Sequence, residues 1–311
     1  MAYDEDDSIV GGTICRIRGI LFPFSIFSKS LWVGSGLLVK QSDPEQEKQL
    51  KKELLHTIEK EAKNQKCIFI RFNRWCTKER PEVFLDNDFK TVPSSTFISD
   101  LNDSEEELYS KFDRNIKASL KKAKNAKLDF CLAKESEPGI IEQFYDLYKS
   151  TQKRAVNSNK NASMTLKSYD FINEILRHGK LNCFLSYIRF ENKLAAGLIL
   201  VNNGSTILSY IAASDIELNR KFGASSLLFW ESMLWAKRNN IRYFDFGGVP
   251  NSPSEDDPAY GVYRFKKNMG GVFVQYPIGE KILNPFKAKV FEHVLNYRII
   301  VRLFMKVSNK L

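Results

Sequence analysis

Four stretches of the chain carry groups that could act on an anion or an activated ester. At Arg220–Ser226 (RKFGASS) a glycine and small residues open a predicted helix. Free backbone N–H groups there can approach an anion, with the helix dipole behind them. Asp245 ends a predicted strand just before Gly247 and Gly248. A carboxylate so placed can orient the loop through backbone N–H groups or hold an incoming ammonium. Lys266 and Lys267 form a cationic pair further on. Residues 111–127 hold seven basic residues against one acid. Within them Phe112, Ile116, Leu120 and Ala123 recur at helical spacing, as do Arg114, Lys117, Lys121 and Lys124 on another face. That pattern is an amphipathic helix with one wall in a core. Its basic wall is either a solvated face or a contact for phosphates of nucleic acid, nucleotide or lipid.

Other chemistries find little support. His56, His178 and His293 lie in predicted helices without a Ser or Cys partner pattern, so a Ser-His-Asp or Cys-His site is not expected. The five cysteines are odd in number and form no C-x-x-C, which argues against a disulfide framework and a structural zinc site. No metal is expected.

The elements that would position these residues read as a repeat. Ile9–Arg18, Ile20–Phe27 and Leu31–Lys40 are predicted strands. A helix starts at Asp43-Pro44 and runs to about Lys63, and Cys67–Phe72 is a short buried strand. In the second half Cys183–Phe190, Leu194–Val201 and Thr206–Ala213 form a predicted meander, followed by a helix from Ala224 to Asn239 and a strand at Ile241–Phe246. Leu194–Ser214 is uncharged and long, but Asn202-Asn203-Gly204-Ser205 breaks it as a hairpin turn, so it is not a membrane span. Between the halves lie the basic helix, a strand near Leu128–Leu132, and helices at Ile140–Arg154 and Lys167–His178. Three strands, a helix and a strand thus occur twice, which predicts a duplicated α/β unit.

The chain has 311 residues and a formal charge of +10, suited to two domains and an anionic partner. Residues 281–311 carry a second basic patch, again seven basic residues against one acid. Pro285 opens a predicted helix there that runs to about Val307, with Arg298, Arg302 and Lys306 as a basic stripe. Such a helix can lie on an anionic membrane surface or dock its apolar face on the protein. The acidic opening, Asp4 to Asp7, does not match a signal peptide. A cytoplasmic protein is expected, with peripheral contact at the inner face of the membrane.

Two resemblances add to this. The Arg220–Ser225 turn resembles the R/Q-x-x-G-x-G/A turn of GNAT acyltransferases, with Arg220, Gly223 and Ala224 matching and Ser225 departing. Tyr243–Pro250 (YFDFGGVP) followed by Tyr260–Gly271 (YGVYRFKKNMGG) resembles the signature of the Fem-type peptidoglycan bridge aminoacyltransferases, D-F-x-G and then G-x-Y-x-F-K-x-x-F-G. Ser104–Asp129, Thr151–Arg154, and Tyr210–Ser214 followed by Ala224–Glu231 are similar to further family segments, so the resemblance extends from about Gly12 to Gly279. The N-terminal Trp-containing helix usual in the family is nearly absent, the long helical arm of some relatives has no counterpart, and Asn73 stands where a carboxylate often follows the strand.

The resemblance implies an α/β (α+β) fold of two tandem GNAT-like domains, each a mixed, mostly antiparallel sheet flanked by helices. The expected division is 1–131, 132–280 with the signature motifs, and a C-terminal basic helix at 281–311. It implies an aminoacyltransferase that uses aminoacyl-tRNA as co-substrate, with no cofactor, and acts on a muramyl-peptide or lipid II-like acceptor, as a monomer. By the same resemblance Lys266 is the charge near the ester and terminal ribose, with Phe265 beside it and Tyr263 in the same motif. Arg154 and Tyr210 approach the acceptor, Asp245 and Gly247 shape the loop, and Gly223, Ala224 and Ser225 form the anion turn. Arg114, Lys117 and Lys121 meet tRNA or a lipid pyrophosphate. Two alternatives stand beside this: an acyl-CoA-dependent N-acyltransferase on a surface polysaccharide sugar, and a non-catalytic membrane-surface binding protein.

Overall fold

The computed structural model describes all residues except 1, 4–5, 20–27, 35–36, 41–42, 73–83, 134–138, 159–165, 180–181 and 297–311. In chain order the elements are β1 (Ala2–Tyr3), β2 (Ile9–Gly12), β3 (Cys15–Arg18), β4 (Ser30–Val33), β5 (Leu38–Val39), α1 (Pro44–Asn64), β6 (Phe69–Phe72), β7 (Lys90–Asp100), α2 (Glu105–Ser110), α3 (Arg114–Asn125) and β8 (Asp129–Leu132). Then follow α4 (Ile140–Ser158), α5 (Tyr169–His178), β9 (Cys183–Phe190), β10 (Lys193–Asn203), β11 (Thr206–Ser214), α6 (Ile216–Phe222), α7 (Ala224–Arg238), β12 (Tyr243–Asp245), α8 (Tyr260–Asn268), β13 (Val272–Ile282) and α9 (Pro285–Asn296). They form a mixed α/β fold of two compact units, Met1–Ser94 with Tyr276–Leu311, and Ser95–Gln275.

In the first unit β1, β2 and β5 make a small antiparallel sheet. Beside it in sequence, β3 pairs antiparallel with β4, and β4 pairs parallel with β6. Helix α1 is the crossover that a parallel pair requires. Its start is fixed by Asp43, whose carboxylate accepts from the N–H groups of Glu45 and Gln46, and by Pro44 in the first turn. Its buried stripe Leu54, Leu55, Ile58 and Ala62 packs with Leu31, Val33, Ile70 and Phe72. Glu280–Ile282 of β13 add antiparallel to Phe69–Arg71. Ala288 and Phe291 of α9 close over Ile68 and Phe69. The start of the terminal helix therefore docks on its own unit, while the predicted stripe Arg298, Arg302 and Lys306 lies outside the described residues. The predicted strand Ile20–Phe27 and Asn73 also lie outside them.

The second unit is built on β8, β9, β10 and β11, all antiparallel, with β12 parallel to β11 and β7 antiparallel to β12. Helix α7 is the crossover between β11 and β12, so β11–α7–β12 repeats the β4–α1–β6 arrangement of the first unit. One face of this sheet holds α3 and α7, through Ile116, Leu120, Leu228, Phe229 and Met233. Another cluster joins α4 and α5 to the sheet through Phe144, Tyr148, Ile172, Leu185 and Tyr187.

The division differs from the one expected at residues 131 and 280. The basic helix has its apolar wall, Phe112, Ile116 and Leu120, in the core of the second unit. The last strand from Tyr276 onward and the terminal helix belong with the first. Predicted strands Ile9–Arg18 and Leu31–Lys40 are each two strands, interrupted near Thr13 and Gly34. Strands β7 and β13 have no counterpart among the predicted elements: Pro93 and the serines of KTVPSSTFISD obscure an 11-residue strand. Among the described residues no helix is long and apolar enough to cross a membrane.

Candidate active site

The signature residues meet at one turn of the second unit. Strand β12 is only three residues long but is held on both sides, by β11 and β7, with Phe244 fully buried. Its last residue, Asp245, points into the turn that follows. There its Oδ1 accepts the N–H of Gly247 at 2.7 Å and the hydroxyl of Thr96. Of the two roles open to this carboxylate, the observed bonds are those of loop orientation. Gly247 takes φ +76°, and a Cβ on it would stand 2.6 Å from the Ser209 carbonyl oxygen. Only glycine fits a left-handed turn pressed on a neighbouring backbone.

Helix α8 brings the lysine to the same place. It begins after an Asp257 turn, in which the carboxylate accepts from the Ala259 N–H at 2.7 Å. Phe265 packs edge-on against Phe229, with centroids 5.3 Å apart, and Tyr263 does the same against Phe97 at 5.3 Å. These contacts fix the helix rotation. Lys266, half-buried and next to Phe265 in sequence, then donates from Nζ to the Gly247 carbonyl at 2.9 Å and to the Gly248 carbonyl at 3.2 Å. Lys266 also sits in the last turn of α8 with Lys267, where cations complement the helix dipole. Lys266, Phe265, Tyr263, Asp245 and Gly247 thus form one group.

Arg154 and Tyr210 belong to a second. Arg154 donates to the Ser214 carbonyl at 2.6 Å and to the hydroxyls of Thr151 and Ser150 at 3.1 Å each, tying α4 to the end of β11. Tyr210, half-buried, packs with the cluster that joins α4 and α5 to the sheet. It follows Ser209, the residue under the Gly247 turn.

The third group is the glycine turn with the basic helix. Gly223 is left-handed at φ +73°, and a Cβ there would meet the Ser119 carbonyl at 2.6 Å. Gly223 and Ala224 are buried, and the Ser225 N–H is taken by the Asn219 side chain at 2.8 Å. The Gly223 N–H bonds the Asn219 carbonyl at 2.8 Å, so Asn219 takes up two N–H groups of this turn. On α3 itself Arg114 and Lys121 are exposed, and Lys117 is half-buried with Nζ 2.8 Å from the Ser110 carbonyl. The Asp113 N–H donates to the Asn268 carbonyl at 2.9 Å, setting the start of the basic helix against the end of α8.

Sequence reasoning missed the β7 side of the site. Ser95 Oγ bonds Asn251, Val249 N–H reaches the Ser95 carbonyl at 2.9 Å, and Phe246 N–H reaches the Phe97 carbonyl at 3.0 Å. No local motif announces this; it comes from strand pairing across roughly half the chain. Glu231 on α7 stands out in the sequence only as part of a motif. Burial pushes its carboxyl above the usual range, Arg238 opposes this, and Glu105 adds to it. Among the described residues no cluster of His, Cys, Asp or Glu could hold a metal ion.

The fold has counterparts among known proteins. Residues 110–267 match the model of the acetyltransferase (GNAT) domain family. No curated protein matches the chain. The fold is similar to the crystal structure of FemX, with a TM-score of 0.69 at 16% identity over 94% of this chain and 89% of that one. It is also similar to a C-terminal domain (DUF2156) described as that of a candidate lysylphosphatidylglycerol synthetase from Agrobacterium fabrum, with a TM-score of 0.59 at 12% identity over 94% and 88%. A tandem GNAT protein from the clavulanic acid biosynthesis pathway aligns with a TM-score of 0.52 at 11% identity over 91% and 82%.

Proposed function

The chain belongs to the acetyltransferase (GNAT) domain family, an acyltransferase fold, and on that premise we propose that it moves an amino acid from aminoacyl-tRNA to an amine of a muramyl-peptide or lipid-linked peptidoglycan precursor. The observation that carries the choice of donor is the closed glycine turn. A coenzyme A pyrophosphate needs open N–H groups at the start of α7, yet Ser119 packs on Gly223, whose N–H bonds the Asn219 carbonyl at 2.8 Å, and the Ser225 N–H is taken by the Asn219 side chain. The FemX-like fold and the D-F-x-G and F-K motifs, met at one turn, support the aminoacyl reading. So does the likeness to a protein described as a lysylphosphatidylglycerol synthetase, whose name implies lysine as the transferred group.

The reaction asks little of the protein, because the aminoacyl ester is already activated. The acceptor amine attacks the ester carbonyl carbon, and the carbonyl electrons move onto oxygen. As the tetrahedral adduct collapses, the bond to the ribose oxygen breaks. The nitrogen loses a proton and the ribose oxygen gains one, leaving an amide and a free hydroxyl. Lys266 supplies the fixed positive charge for the oxyanion, held in place by the Gly247 and Gly248 carbonyls. Arg154 and Tyr210 serve the acceptor side, and the exposed cations Arg114 and Lys121 the tRNA phosphates. No metal or cofactor takes part in this scheme. The terminal basic stripe would hold the protein, as a monomer, against the inner face of the membrane when the acceptor is lipid-linked.

The test is transfer of a labelled amino acid from charged tRNA to a muramyl pentapeptide precursor. Product formation that depends on charged tRNA is expected. Acylation of an amine from acyl-CoA, with none from any charged tRNA, would replace this reading by the acyl-CoA one.

A further inference from the structure

The Gly247–Gly248 turn is fastened from β7 as well as from α8, and the fastening runs through a buried hydroxyl. Thr96 is 1% exposed. Its Oγ1 has one proton to give. One acceptor in reach is the Phe97 carbonyl at 3.3 Å, which already takes the Phe246 N–H at 3.0 Å. The other is Asp245 Oδ1. A carboxylate is the stronger acceptor, so the proton goes to Asp245. The same Oδ1 takes the Gly247 N–H at 2.7 Å. The peptide groups that follow turn their carbonyls onto Lys266 Nζ. A continuous path therefore leads from Thr96 through Asp245 and Gly247 to the ammonium, by hydrogen bonds and the backbone of the turn.

We propose that Thr96 is a positioning residue for Lys266: its hydroxyl fixes the Asp245 carboxylate, which fixes the turn whose carbonyls aim the ammonium. The inference rests on Lys266 being the charge beside the ester. Thr96 acts on Lys266 only through Asp245 and the turn. Its effect is to keep a flexible four-carbon side chain in one arrangement, which otherwise costs rotamer entropy at each turnover. Valine has the shape of threonine but cannot donate, so Asp245 would keep only the Gly247 N–H of these two donors. Serine keeps the hydroxyl and loses a methyl group.

The experiment measures Lys266 directly, without a substrate. Wild type, Thr96→Val and Thr96→Ser are exposed briefly to acetic anhydride at pH 8, and acetylation of each lysine is read by peptide mass spectrometry. Lys237 is the internal control, because its Nζ is also bound to two carbonyls of the same unit, Leu101 and Asp103, at 2.8 Å each. In Thr96→Val the Lys266 rate should rise about fivefold, the factor for one net hydrogen bond, with Lys237 unchanged and Thr96→Ser close to wild type. An unchanged Lys266 rate in Thr96→Val overturns the proposal. So does a parallel rise at Lys237, which would mean general loosening, or a Thr96→Ser rate equal to that of Thr96→Val. In the transfer assay Thr96→Val should lower kcat about tenfold with KM little changed. If wild type transfers nothing from charged tRNA, the aminoacyl reading falls, and the labelling result alone decides whether Thr96 positions Lys266.

Discussion

Replacing Gly247 by alanine tests whether the site turn is pressed on the sheet as described. Two costs can be separated. A side chain at φ +76° costs about 1–2 kcal/mol because Cβ crowds the following carbonyl. The new Cβ would also stand 2.6 Å from the Ser209 carbonyl oxygen, a backbone atom that cannot swing aside. Relieving such overpacking costs about 1–3 kcal/mol more. The sum is roughly 2–5 kcal/mol. Gly139 supplies the control: it lies in the same unit at φ +81° with nothing within 4 Å of an added Cβ, so Gly139→Ala meets the first cost alone. For a unit of this size 1 kcal/mol moves Tm by about 2–4 °C. Calorimetry should then show a fall of roughly 4–20 °C for Gly247→Ala and roughly 2–8 °C for Gly139→Ala. Because the added Cβ lies 3.5 Å from Lys266 Nζ, transfer by the folded Gly247→Ala protein should fall as well. Equal shifts in the two variants would refute the packing of the turn on Ser209, and with it the account of how Lys266 is held.

The remaining predictions concern the charges and the basic helix. Lys266→Ala should lower the transfer rate about 10²–10³-fold, the usual cost of one donor to an oxyanion, measured in single turnover. Leu120→Ala removes a buried side chain of α3 and should cost about 2–5 kcal/mol in urea unfolding. Lys121→Gln on the exposed face should leave stability within about 0.5 kcal/mol and weaken tRNA binding with a shallower salt dependence. At Glu59 burial works to raise the carboxyl, but the hydrogen bonds and charges of Lys281, 2.7 Å away, and Lys63 prevail and hold it below 4.5. A depressed carboxyl stabilises the fold above its unfolded value and loses that as pH falls through the folded one. The Tm gap between wild type and Lys281→Met should therefore be full at neutral pH and shrink as pH drops below 4.5. Glu231 has the opposite sign: its raised carboxyl favours the fold when protonated, so Glu231→Gln should stabilise at neutral pH and confer nothing well below 4.5.

What is legible in the sequence follows the range of the interactions. Helix α1 can be placed to within a residue or two because Asp43, Pro44 and the Leu54–Ala62 stripe act over one or two turns. The two-walled basic helix is legible for the same reason, and all four of its predicted apolar residues are buried. The hairpin at Asn202–Ser205 is legible from its turn residues, with Asn203 facing Thr206 across it. Strand β7 is not, since its identity depends on partners such as Tyr243 and Phe244, far along the chain. The break between the compact units, at Ser94–Ser95 inside this strand, is hidden with it. The motif residues are legible one by one, but not their bonding. Nothing local in FDFGG shows that Lys266 would spend its donors on Gly247 and Gly248, or that Asp245 would be bound by Thr96.

That bonding bears on how a GNAT scaffold could change donors. The turn before α7 keeps the glycine and the small residues of an anion cradle, yet the same smallness lets α3 approach until the Ser119 backbone rests on Gly223. Close helix packing and phosphate binding ask for the same residues, and only one can occupy the space. Here Ser119 lies against Gly223, and exposed positive charge stands on the outer face of α3 and at the end of α8. A donor whose phosphates lie along a surface suits that arrangement better than one whose pyrophosphate must enter a turn. The consequence is open to measurement: coenzyme A at millimolar concentration should leave the Tm of the wild-type protein unchanged, whereas a minihelix of charged tRNA should raise it, by RT ln(1 + [L]/Kd) in free energy. A clear rise with coenzyme A would mean that α3 moves off Gly223 in solution, and the glycine turn would again be the donor site.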